Sequence, residues 1–161
     1  MSDEIQRQQA LILLDRAYKH QMRGEFGYAI MLYKCSIETF PTAEAHTFLG
    51  WTYSMMERYE EAIEACQQAI EVDPDFGNPY NDIGAYLIEL ERWEEAIPWL
   101  EKATQAPRYD SPQFPHMNLG RVYQHLGDYE RALACYERAI EIDPFYRTAI
   151  WAKYDLLARM N

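Results

Sequence analysis

HTFLGWTYSMMERYEEAIEACQQAIEVDP, residues 46–74, is the stretch whose reading decides the fold. It divides into two amphipathic helices joined by a tight turn at Glu57-Arg58. Leu49, Gly50 and Tyr53 fall at helical spacing on the first helix, and Ala62, Cys66 and Ala69 on the second. Pro74 follows the exit, where the helix cannot continue. The hairpin is expected to set Gly50 against Ala62 and Ala69, because only side chains that short let two helix backbones approach closely.

The unit recurs along the chain. The first small alanine of each second helix is Ala29, Ala62, Ala96 and Ala132, at intervals of 33, 34 and 36 residues. Four residues later stand Tyr33, Cys66, Leu100 and Tyr136, and three further on Ser36, Ala69, Ala103 and Ala139. Twelve before each anchor are Ala17, Gly50, Gly84 and Gly120, and Pro41, Pro74, Pro107 and Pro144 close the copies. This pattern resembles the tetratricopeptide (TPR) repeat, a helix–turn–helix unit of about 34 residues. The resemblance runs over almost the whole chain. It implies an all-α fold, a right-handed superhelical TPR solenoid filling a single domain, 1–161. Four helix–turn–helix repeats are expected at approximately 8–41, 43–76, 77–110 and 113–146, followed by a C-terminal capping helix over 147–160.

Departures from the repeat carry their own expectations. In the first copy Arg16 stands where later copies have Leu49, Ile83 and Leu119, in keeping with a terminal repeat that meets water on one face. Ser2 or Asp3 is expected to cap the opening helix, and Asn78-Pro79 to start the third copy. Pro98 falls inside a second helix, off its packing face, so a tolerated kink on the outside is expected. The connection PRYDSPQFP, residues 107–115, is the one irregular joint. Its two extra residues either lengthen a loop or widen the angle between repeats three and four, and a longer loop with Ser111 as N-cap is the simpler expectation. Similarly widened connections occur in TPR proteins of bacterial pilus assembly. Tyr154 occupies the Gly/Ala position of the last helix, which fits only a cap with no partner helix to receive.

Bulk composition limits the function classes. Hydrophobic residues make up 48% and charged ones 25%, ordinary for a globular protein. The net charge is −11, and residues 59–105 hold 2 Lys/Arg against 12 Asp/Glu. Such a field repels phosphate backbones and anionic bilayers, so neither nucleic acid nor membrane is expected as a partner. The acidic N-terminus does not read as a signal peptide. Cys35, Cys66 and Cys135 lack CxxC spacing and read as reduced packing residues, so a cytoplasmic location is expected.

No glycine-rich phosphate loop, GxSxG or HExxH occurs, and the histidines show no i, i+4 ligand pair. No catalytic residue, metal site or cofactor is expected. His46 and His116 share one repeat position and read as packing histidines.

In TPR proteins the first helices line a concave groove, and the resemblance carries that role onto four positions per copy. Its N-terminal part would be Tyr18, Met22, Phe48, Trp51 and Met55, an aromatic and methionine-rich surface suited to an apolar anchor. The middle would be Asn81, Asp82 and Glu89. The C-terminal part would be Met117, Asn118, Arg121, His125 and Trp151, with Arg159 adding a further donor. Asn81 and Asn118 could bond a ligand backbone, since an amide both donates and accepts. Chaperone-tail clamps hold a carboxylate with lysines, an arginine and asparagines; the matching region here has Leu14, Tyr18, Asn78 and Asp82, so that specialisation is not expected. The expected function is a non-catalytic scaffold holding a segment of another protein in the groove. The alternative is a structural module docking through the convex face or the cap; a homodimer is left open.

Overall fold

The structure, a computed structural model, describes residues 2–161. Over them the chain forms nine helices and no strand: α1 (Asp3–Met22), α2 (Phe26–Thr39), α3 (Ala43–Met55), α4 (Tyr59–Val72), α5 (Asn78–Glu89), α6 (Trp93–Gln105), α7 (Gln113–His125), α8 (Tyr129–Ile142) and α9 (Arg147–Met160). Each odd helix up to α7 packs most heavily on the helix that follows it. The three-residue connections force these pairs to run antiparallel. Successive first helices also touch (α1 with α3, α3 with α5, α5 with α7), whereas no comparable contact joins successive second helices among the described residues. The array therefore curves with its first helices inside.

One turn design is used four times. Gly24, Glu57, Glu91 and Gly127 all adopt positive φ, between 58° and 82°. The next residue's N–H then reaches back over the helix end: Glu25 to His20, Arg58 to Tyr53, Arg92 to Leu87 and Asp128 to Tyr123, at 2.8–3.0 Å. These are Schellman closures, in which a left-handed residue after the helix end satisfies its last carbonyls. Side-chain caps open other helices. Ser2 Oγ accepts from the Ile5 N–H, Thr42 Oγ1 from Ala45 and the Asp128 carboxylate from Arg131.

Inside each hairpin a small residue meets a larger one. A Cβ on Gly84 would lie 2.3 Å from Leu100 Cδ2, and one on Gly120 2.3 Å from Tyr136 Cε1. A Cβ on Gly50 would lie 2.9 Å from the carbonyl oxygen of Ala62, with Cys66 Sγ and Ala65 next. The expected facing of Gly50 and Ala69 is thus corrected by nearly a turn of α4. In repeat one the residue equivalent to Ala69, Ser36, donates to the Ala10 carbonyl at 2.7 Å. Ala69 belongs by the same register beside the start of α3. Tyr33 and Tyr136 each donate to a glutamine twelve residues back, Gln21 and Gln124, both at 2.7 Å.

The core lies in two parts. One runs through repeats one to three and ends at Leu119 and Val122; the other gathers Met117, Ala132, Tyr136 and Ala139 with Ala149 and Leu156 of α9. Tyr154 stands 63% exposed on the outer side of α9. Pro98 sits inside α6 and is exposed. Helix α5 begins at Asn78 itself, with Gly77 as its cap residue, and α7 begins after Pro112 with no side-chain cap, so Ser111 does not serve as one.

The irregular connection is neither slack nor a simple spacer. The Gly77 N–H donates to the Arg108 carbonyl at 2.9 Å and the Arg108 N–H to the Asp75 carbonyl at 3.1 Å. Residues 107–110 thereby lie alongside the α4–α5 loop. Tyr109 packs so closely on Gly77 that a Cβ there would fall 2.4 Å from its ring. Arg108 bridges Glu44 and Asp73 and stacks 4.2 Å from the Phe76 ring centroid.

Gly50→Ala is expected to lower unfolding free energy by about 1–2 kcal/mol, because overpacking against backbone outweighs the better helix propensity of alanine. Gly84→Ala meets a side chain instead, so its cost should shrink when Leu100 is also Ala, a non-additivity of about 1 kcal/mol. Urea titrations of the single and double variants measure both.

Candidate functional site

Two clefts take in expected residues, one among α3, α5 and the start of α7, the other around the end of α7 with α6, α8 and α9. Four of the expected residues gather in the first, between α3, α5 and the pinned connection. This cleft of about 400 Å³ is lined by Phe48, Trp51, Asn81 and Asp82, together with Glu44, Phe76, Tyr109 and Phe114. Phe48 serves two purposes. Its ring packs on Tyr33 (centroids 6.1 Å) and edge-on to Tyr18 (5.6 Å), and also meets Trp51 (6.3 Å) at the cleft. Trp51 is 37% exposed, so its indole forms an accessible wall.

Asp82 lies among these rings, near Cys66, Tyr86 and Tyr109. Burial pushes its carboxyl up to about 7, and no ion pair or hydrogen bond among the described residues offsets that. Burial likewise raises the Tyr109 hydroxyl, with the Asp82 charge adding to the effect. The same cause pushes the His46 and His116 imidazoles down.

The second cleft, also about 400 Å³, is lined by Trp93, Arg121, Gln124, His125, Tyr136 and Arg159. His125 stacks on Trp93 with ring centroids 3.9 Å apart. A short relay connects the two clefts. Asn118 Nδ2 donates to Asn81 Oδ1 at 3.0 Å, and Arg121 Nη1 donates to Asn118 Oδ1 at 3.2 Å. Asn81 is 7% exposed and already accepts from Asn118. What it retains for another group is chiefly its amide N–H donors.

The other sequence candidates lie outside these clefts. Tyr18, Met22, Met55 and Glu89 are exposed, with the Met55 sulfur accepting from Gln21 Nε2 at 3.4 Å. Met117 is 5% exposed and packed in the C-terminal core, so its side chain offers no groove surface. Trp151 is 79% exposed on α9. Sequence reasoning missed Glu44, Phe76, Tyr109 and Phe114. Three of these lie on or beside the interrepeat loops, where helical spacing gives no guide. Gly77 was the available signal, a small residue outside the repeat's small positions.

Among the described residues no group of three or more His, Cys, Asp or Glu could hold a metal ion, and no helix is long and apolar enough to cross a membrane.

The family model for the tetratricopeptide repeat matches residues 43–76 and 115–146. Among curated relatives, anaphase-promoting complex subunit 3 of Schizosaccharomyces pombe is 26% identical over 141 residues, 87% of this chain and 21% of that protein. Small glutamine-rich tetratricopeptide repeat-containing protein 2 of Mycosarcoma maydis is 28% identical over 82 residues, 50% of this chain and 23% of its own. The chain thus spans about a fifth of the length of these relatives. Of solved structures, pilF of Pseudomonas aeruginosa superposes with a TM-score of 0.88 at 23% identity, over 96% of this chain and 70% of that one. YrrB, described as a TPR protein with an unusual peptide-binding site, gives 0.71 at 22%, over 94% of this chain and 77% of its own. At these identities the likeness is one of fold.

An unfolded aspartate ionises near pH 4, whereas folded Asp82 keeps its proton to about 7. Between these values the folded state binds more protons, so stability from this group is present below pH 4 and lost as pH rises through the window. Asp82→Asn should therefore be more stable than wild type at pH 8, by about 1–3 kcal/mol, with the gap closing towards pH 4. The histidines contribute with the opposite sign but are common to both proteins and cancel. Urea titrations at the two pH values measure the gap, and an equal gap at both would contradict this assignment.

Proposed function

Because the chain belongs to the tetratricopeptide-repeat family, whose fold serves as a scaffold for protein–protein interaction, we propose that it holds a segment of another protein along its inner, first-helix surface. The segment buries an apolar anchor against Trp51 and Phe48. Polar groups of the Asn81–Asn118–Arg121 relay set its register across α5 and α7. The observation that carries this reading is the α3–α5 cleft, where an exposed indole and further rings sit beside unspent hydrogen-bonding groups. A few buried aromatic contacts can supply most of the energy of such an interface.

A second reading rests on a separate observation. Phe145, Trp151 and Tyr154 at the cap are 89%, 79% and 63% exposed, more apolar surface than an end facing only water needs. On this reading the cap packs against another copy or another protein, and the groove stays empty.

Affinity capture with wild type and with the double variant Trp51→Ala, Met55→Ala separates the two. The groove reading expects the captured partner to be lost from the variant, with affinity for it falling at least about tenfold while helicity is unchanged. Unchanged binding would exclude the groove. Sedimentation tests the cap: the groove reading expects a concentration-independent monomer, and a dimer abolished by Trp151→Ala would favour the second.

A further inference from the structure

We infer that the α3–α5 cleft receives an arginine side chain of the bound segment, paired with Asp82 and stacked on the cleft's rings. This rests on the groove reading above and names the chemistry that the groove selects.

Charge is the first argument. The residues lining the cleft include two carboxylates, Glu44 and Asp82, and no lysine, arginine or histidine. Glu44 is already engaged by Arg108, whereas Asp82 has no cationic partner among the described residues. Asp82 keeps only part of its surface in water; a carboxylate so withdrawn without a counter-charge is destabilised, and an incoming cation would offset that. The surrounding third of the chain, residues 59–105, is heavily acidic and contributes attraction in the same sense.

Shape is the second. Phe48, Trp51, Phe76, Tyr109 and Phe114 present rings around the carboxylate. Cations held against ring faces gain from the ring quadrupole, most of all at tryptophan. A volume of about 400 Å³ exceeds what one side chain fills and leaves room for adjoining backbone.

The rim of the cleft already holds such an arrangement within the chain. The Arg108 guanidinium lies over the Phe76 ring at 4.2 Å and donates to Glu44 at 2.9 Å. This pairing of ring and carboxylate favours arginine over lysine, since a planar guanidinium stacks and forks onto a carboxylate together, which an ammonium cannot do. In the same cleft Trp51 and Asp82 offer a ring and a carboxylate with no cation of the chain between them.

The test uses a random dodecapeptide phage library panned on the full chain. Wild type should enrich peptides in which an arginine is flanked by apolar residues. Replacing that arginine by citrulline, its neutral isostere, in one selected synthetic peptide should weaken binding about tenfold or more. The same replacement should cost less than about twofold with Asp82→Asn, because the charge it would lose there has no partner. Apolar peptides without arginine, or a citrulline effect under twofold on wild type, would overturn the arginine assignment while leaving the groove reading intact. Selected peptides that bind Trp51→Ala as tightly as wild type would overturn the groove reading and this inference with it. Should Asp82→Asn fail to fold, the citrulline comparison on wild type alone decides.

Discussion

The structure depends on how closely the two helices of each hairpin can approach. Gly50, Gly84 and Gly120, with Ala17 in the first copy, leave room for Cys66, Leu100, Tyr136 and Tyr33 respectively, and the sizes vary while the fit is kept. Leu100, Tyr33 and Tyr136 are almost fully buried as a result. Interiors are packed as densely as organic crystals, so one surplus methyl at such a contact is felt through the whole hairpin. Because the first helices also touch one another, the spacing fixed inside each hairpin sets the curvature of the inner face.

Much of this was legible in the sequence. Helix boundaries such as Phe26–Thr39 and Trp93–Gln105 follow from the repeat offsets and the prolines, because local rules fix them. Tyr154 marked the cap because a large residue there can only face solvent. Partners across the hairpin were less accessible. Spacing places Ala69 and Gly50 on facing stripes but does not say which turns meet, and the answer lay in the crossing geometry. Ser111 reads locally as an N-cap, yet backbone pairing of the preceding residues with the α4–α5 loop decides how the chain enters α7.

The candidate site divides in the same way. Phe48, Trp51, Asn81 and Asp82 stand together because helical spacing and repeat stacking both put them there. Met117 shares their stripe but is claimed by the C-terminal core with α9. Tyr109 and Phe76 reach the cleft through loop contacts that no periodicity encodes. The two additional residues between repeats three and four thus build part of the cleft wall. Electrostatics adds a further distinction. Glu61 and Glu95 pair with arginines of their own turns, Glu60 with Arg92 of the next repeat, and Glu94 points to solvent, whereas Asp82 lies unpaired beside the cleft's rings. Charges of the same sign therefore differ in setting, the former hydrated on the surface and the latter, on the proposed reading, selecting what the inner face accepts.

The central claim is that the inner face of the first helices, rather than the outer face or the cap, is where another protein is held. Nitrogen-15 NMR of the labelled chain, titrated with the isolated segment of its captured partner, tests this most directly. The account predicts shifts concentrated at the Trp51 indole and the Asn81 and Asn118 side-chain amides, with α2, α4 and α8 unmoved. Shifts confined to Trp151 and Tyr154, or to second-helix positions such as Gln67, would contradict it.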